Sequence, residues 1–255
     1  MNSLICALIE KTGRDNGFEN AKGPFGDSIF MSSARHKAEV EISFVNELFA
    51  VRVTHGPLPL PYELERSFPD LPRKGKCVVA TNEPLLAQWL RRCSVLAQSL
   101  PNQVVDDYEE QVNQLMSGLV PQGTTNTEVE RMVRQRVGQD KFRQAMLDYW
   151  GSSCAVTGLS LNAALRASHA KPWAECKTDA ERLNVYNGFL LSANLDALFD
   201  KFLISFDEGG EIMINKSIST ADRESLGLTK LMRLRWVSEA HLPFLNFHRD
   251  RFLKN

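Results

Sequence analysis

Four residues in the second half of the chain could do chemistry together: His169, Asn187, Asp196 and Asp200. All lie in LRASHAKPWAECKTDAERLNVYNGFLLSANLDALFDKFLISFD, which begins at Leu165. An apolar run there ends in Ser168-His169, and a polar excursion follows. Asn187-Gly188 then opens a second apolar run, and the two aspartates fall four residues apart in a short helical pattern. The pattern predicts strand, loop, strand and helix, an order in which the four side chains can converge. One imidazole, one amide and two carboxylates at one place are an inventory for metal-assisted phosphodiester cleavage. A free imidazole titrates near pH ~6.5 and can accept a proton at neutrality. Carboxylates favour Mg²⁺ or Mn²⁺ over a thiolate-seeking metal. Residues four apart on a helix share a face, so Asp196 and Asp200 can approach one ion.

The rest of the chain must position these groups. Its 255 residues suffice for one large domain or two ordinary ones, and 43% hydrophobic with 24% charged residues is a soluble globular composition. No apolar run reaches the length of a membrane span. MNSLICALIEKTGRDNG reads as an amphipathic first helix and not a signal peptide, so a cytoplasmic protein is expected. The five cysteines, Cys6, Cys77, Cys93, Cys154 and Cys176, form no CxxC pair and fit reduced thiols. The net charge of −1 makes no global case for nucleic acid. Residues 1–120 carry 12 basic and 15 acidic side chains, and the remainder 18 and 16.

In chain order, residues 3–12 predict a helix. SIFMSS, KAEVEISFV and ELFAVRVTH predict an antiparallel sheet, with Val45-Asn46-Glu47 turning between the last two. GPLPLPYELERSFPDLPRKGK, with its five prolines, reads as an irregular crossover. CVVAT reads as a short strand, and the following helix is capped by Asn82. His36 and His55 have no partner at ligand spacing and read as packing or surface residues. Residues 101–126 look like a connection, with a boundary near 118–126 that divides the chain into 1–120 and 121–255. Thr127 and Glu130 form a capping-box pattern opening a helix through TEVERMVRQRVGQDKFRQAMLDYWG, where Gly138 marks a kink or break. Its apolar face holds Val129, Met132, Val133, Val137, Phe142, Ala145, Met146 and Tyr149. The basic opposite face, including Arg134, reads as solvated, with phosphate contact as the alternative. CAVTGL signals a strand and turn, ISFDEGGEIMIN a hairpin, and HLPFLNFHRDRF a closing helix bearing His241, His248, Arg249 and Arg251.

WGSSCAVTGL, LRASHAKPW and YNGFLLSANLDALFDKFLISFD together resemble an HNH endonuclease domain, and the resemblance extends over roughly 125–255. The resemblance implies a C-terminal ββα-metal nuclease domain after an N-terminal mixed domain, an α+β protein. It implies that His169 is the general base, that Asn187 orients the imidazole, and that Asp196 and Asp200 are metal ligands, with Ser168 as a further candidate metal residue. Two departures stand out. Many family members carry Asp or His directly before the base, where Ser168 stands here. Cys154 is followed by Thr157 in place of a second cysteine, so a structural zinc is not expected. Arg166, Lys171, Lys201, Arg134 and Arg249 are the expected DNA contacts. The implied activity is a metal-dependent DNA endonuclease using Mg²⁺ or Mn²⁺, in restriction or phage defence. The first half would recognise a target, a modified base, a signal or a protein partner, and a homodimer would suit double-strand breaks. The alternatives are a catalytically weak DNA-binding or regulatory module on the same fold, or a nuclease subunit delivered by a partner.

Overall fold

A computed structural model of the chain describes residues 1–119 and 127–254. It divides into two compact units, Met1–Gln103 and Val104–Asn255.

The first unit is an antiparallel sheet covered by helices. α1 (Ser3–Asp15) starts where the Asn2 side chain accepts a hydrogen bond from Ile5 N. β1 (Asn20–Phe25), β2 (Ser28–Ser32), β3 (Glu39–Val45) and β4 (Leu48–His55) follow as a meander. The β3–β4 turn places Asn46 and Glu47 at φ 51° and 62°, the left-handed pair that a two-residue hairpin needs. The proline-rich segment is not wholly irregular. It forms α2 (Leu60–Ser67), because its prolines fall at the helix start, where a missing N–H costs nothing. β5 (Arg73–Lys74) and β6 (Cys77–Ala80) complete six strands in the order β1-β2-β3-β4-β6-β5. α3 (Glu83–Ser99) is capped by Asn82 Oδ1, which accepts from Leu85 N at 3.0 Å. Alternate residues of β2 to β4, among them Ile29, Met31, Val40, Ile42 and Val51, are buried with Ile9, Leu86 and Leu90 of the helices. His36 is a packing residue here, within hydrogen-bond distance of Gly17 O and Ser94 Oγ.

The second unit begins earlier than the expected 120/121 division. α4 (Gln103–Leu119) fills most of the segment read as a connection, and Val104, Tyr108 and Val112, four residues apart, are its buried stripe. The capping-box reading at Thr127 lies outside the described side chains. α5 (Thr127–Trp150) runs without a break at Gly138. Only the second half of its expected apolar face is buried, from Val137 through Trp150, while Met132 is 64% exposed. CAVTGL forms a turn and no strand; the Cys154 thiol accepts backbone N–H groups from Val156, Thr157 and Ser192.

β7 (Leu165–His169) and β8 (Gly188–Ser192) pair antiparallel, with His169 opposite Gly188 and Leu165 opposite Ser192. The intervening loop contains the short α6 (Asp179–Arg182). β8 runs directly into α7 (Ala193–Phe199), which packs on both strands. β9 (Ile204–Phe206) and β10 (Ile212–Ile214) form the expected hairpin, followed by α8 (Thr220–Ser225) and α9 (Leu242–Phe252). All five β8 residues are buried, between α5 on one side and an aromatic core containing Phe199, Phe206 and His241. No helix of the described residues is long and apolar enough to cross a membrane.

Candidate active site

His169 ends β7 and is held on three sides. Its ring stacks on Phe142 of α5 at 3.8 Å between centroids and 18° between planes. Trp173 meets it edge-on at 5.7 Å. Nε2 lies 2.9 Å from the Arg182 carbonyl oxygen. A carbonyl can only accept, so Nε2 carries the proton and Nδ1 keeps the lone pair. Burial pushes the imidazole down to about 4, against the opposite pull of the Arg182 carbonyl. At neutral pH the ring is uncharged, the form a proton acceptor requires.

The hairpin reaches this geometry because of Gly188. A Cβ there would lie 2.2 Å from the Ser168 carbonyl oxygen and 3.0 Å from Phe142 Cζ. Only glycine lets the strands close opposite His169 while Phe142 stays under the ring. Gly138 has a similar part on α5, where a Cβ would come within 2.5 Å of Trp173 Cη2.

Asn187 is fully buried just before β8. The resemblance implied that it orients the imidazole. Its hydrogen bonds go instead to the loop between the strands. Oδ1 accepts from Lys171 N at 2.8 Å, and Nδ2 donates to Glu181 O at 3.0 Å and Lys171 O at 3.2 Å. It thereby fixes the backbone one residue before the Arg182 carbonyl that holds the ring.

Ser168 and Asp196 are joined directly: the buried Ser168 hydroxyl donates to Asp196 Oδ1 at 2.5 Å. Asp200 follows at the C-terminal end of α7. Asp200 lines a cavity of about 350 Å³ with Ala167, His169, Trp173, Lys201 and His248. Its carboxyl is raised by burial and by the neighbouring Asp196 charge, with Lys201 acting the other way. Two carboxylates close enough to repel are a donor set that a hard cation relieves. Mg²⁺ commonly takes one or two protein carboxylates and fills its shell with water and phosphate. Among the described residues no three His, Cys, Asp or Glu side chains gather at one point. The residues present therefore fit a two-carboxylate site better than a protein cage.

The expected DNA contacts are mostly engaged within the unit. Arg134 reaches Glu109, Glu130 and Asp179. Lys171 pairs with Glu181 at 3.0 Å, and Arg249 with Glu208 at 3.1 Å. Arg166 donates to the Ala163 and Leu165 carbonyls. Lys201 lies at the cavity with Asp200 and His169. His248, conspicuous in the sequence, is buried: Nε2 donates to Phe199 O at 2.9 Å and Nδ1 accepts from Ser205 Oγ at 3.0 Å. The residue that sequence reasoning missed is Arg182. It acts through its backbone carbonyl, which no side-chain pattern reveals. Its guanidinium secures the same loop through Asp179 and the Cys176 carbonyl.

Residues 154–207 match the family model described as HNH endonuclease. The match confirms the family resemblance over these residues, covers the β7–β8–α7 unit, and points to nuclease chemistry in general. No curated protein matches the chain.

Proposed function

We propose that the second unit hydrolyses DNA phosphodiester bonds as a metal-dependent endonuclease, with His169 as general base. The observation that carries this reading is the tautomer set by the Arg182 carbonyl, in a ring that shares its cavity with Asp200. Nδ1 of His169 takes the proton of the attacking water. Asp196, held by Ser168, and Asp200 would hold Mg²⁺ or Mn²⁺. A bound divalent ion supplies stabilisation of the charge that develops on the phosphate and the leaving oxygen. Lys201 offers a cation to the scissile phosphate from the cavity wall. Restriction or phage defence in the cytoplasm is the setting proposed for this activity, with residues 1–120 choosing the target. Two copies, or a partner-assembled complex, would produce double-strand breaks.

The test is nicking of supercoiled plasmid with and without Mg²⁺ or Mn²⁺. His169→Ala should lower the rate by at least ~10²-fold while the folded state and DNA binding persist. Wild-type cutting by that variant would remove His169 from the mechanism. The second reading, a DNA-binding module of weak activity, draws on Ser168, a neutral hydroxyl at the position before the base. DNA binding without metal-dependent nicking by the native chain would favour it.

A further inference from the structure

α9 turns one stripe toward the core, Leu245, His248 and Phe252, and a histidine stands there between apolar neighbours. A leucine could fill the same space, so the imidazole must be used for something besides packing. Both of its nitrogens are engaged. Nε2 donates to the Phe199 carbonyl at 2.9 Å, which leaves Nδ1 to accept from Ser205 Oγ at 3.0 Å. The ring lies flat on the Phe199 ring, 3.7 Å between centroids and 4° between planes. The Phe202 ring meets its other contacts at 4.8 Å.

Phe199 and Phe202 bracket Asp200 and Lys201, where α7 ends. The turn is closed by Phe202 N, which donates to Phe199 O at 2.9 Å, and by Leu203 N, which donates to Leu198 O at 2.9 Å. Phe202 sits at φ 54°, in the left-handed region where a helix end ordinarily has glycine. A bulky residue keeps that conformation only where its surroundings impose it. Here one imidazole meets the turn on both sides, through the Phe199 carbonyl and ring and through the Phe202 ring. The two residues held between them, Asp200 and Lys201, line the cavity that contains His169. We infer that His248 is a positioning residue: by fixing Phe199 and Phe202 it aims Asp200 at a divalent ion and Lys201 at a phosphate, and touches neither ligand. This rests on the reading of Asp196 and Asp200 as the metal donors.

The test uses the full chain without DNA and Mn²⁺ alone as probe, with free Mn²⁺ followed by electron paramagnetic resonance. Circular dichroism at the same temperature selects the variants that are folded. His248→Gln keeps an N–H within reach of the Phe199 carbonyl and should bind Mn²⁺ within about twofold of the native chain. His248→Phe keeps a ring on Phe199 and loses the hydrogen bond, so its Kd should rise about tenfold. In an Asp200→Asn background the same His248→Phe change should alter Kd by less than about twofold, because the ligand it positions is gone. A general loosening of the fold would weaken both backgrounds alike. Ser205→Ala, which removes the donor that holds Nδ1, takes the place of His248→Phe if that variant does not fold, and should raise Kd several-fold. Native affinity in the folded variant, or an equal loss in the Asp200→Asn background, overturns the inference alone. No Mn²⁺ binding by the native chain overturns the metal reading and the inference with it, whereas Mn²⁺ binding without nicking counts against the proposed hydrolysis only.

Discussion

Lowering the pH tests the burial of the proposed base most directly. An ordinary imidazole is half protonated near pH ~6.5, whereas burial beside Phe142 and Trp173 pushes His169 down to about 4. That difference is on the order of 3 kcal/mol in favour of the neutral ring. Nicking at saturating metal should therefore be level from about pH 8 to about pH 5 and halve near pH 4. An unburied base would already have lost half its rate near ~6.5. Asp200, raised by burial and by Asp196, adds an acid effect of its own through metal affinity. The two separate by repeating the profile at tenfold higher Mn²⁺, which restores whatever Asp200 loses and leaves the His169 limb unchanged. A half-maximal point near 6.5 at saturating metal would refute the reasoning.

The buried His248 links stability to pH in the same direction. The native state holds His248 neutral, with burial pushing it down to about 4, so the unfolded chain binds more protons between about 6.5 and 4. Stability is complete above that window and falls as the pH drops through it, by on the order of 3 kcal/mol for this buried ring. Denaturant titrations of the wild type and of His248→Gln should diverge least at the acid end.

Gly188→Ala should lower stability by about 2–4 kcal/mol, because its methyl would press on backbone at Ser168 and cannot be relieved by a side-chain rotation; thermal denaturation checks it. Asn187→Ala strips the loop of its buried hydrogen bonds and should cost about 3 kcal/mol, with slower nicking in the fraction that stays folded. Ser168→Ala releases Asp196 from its hydrogen bond and should raise the Mn²⁺ needed for half-maximal nicking by about tenfold. Asp196→Ala should stay inactive at any practical Mn²⁺ concentration, whereas Asp200→Asn should be partly rescued.

The β7–β8–α7 segment was legible because its periods change cleanly. Five buried positions in β8 run into a helix whose Leu195 and Phe199 keep the four-residue spacing. The order of Ser168, His169, Asn187, Asp196 and Asp200 followed from that pattern. Two helices were not legible for opposite reasons. The prolines of α2 look like breakers unless their place at the helix start is known. The acidic run in α4 looks solvated unless Val104, Tyr108 and Val112 are seen as one stripe. β1 escaped because all six of its residues are exposed and show no alternation.

What composition concealed was the use of the basic residues. The polar excursion between β7 and β8 carries Lys171, Lys177 and Arg182 against Glu175, Asp179 and Glu181, and Lys171 was an expected DNA contact. In the fold, Lys171 and Glu181 close it from within, and Arg182 ties Asp179, Cys176 O and Trp173 O together. Arg251 of α9 reaches Glu175, and Arg134 of α5 reaches Asp179, so the loop is pinned from outside as well. These charges hold one backbone carbonyl where it can fix the protonation of a ring. A chain of net charge −1 can therefore use the cations of this region to hold the His169 ring in place.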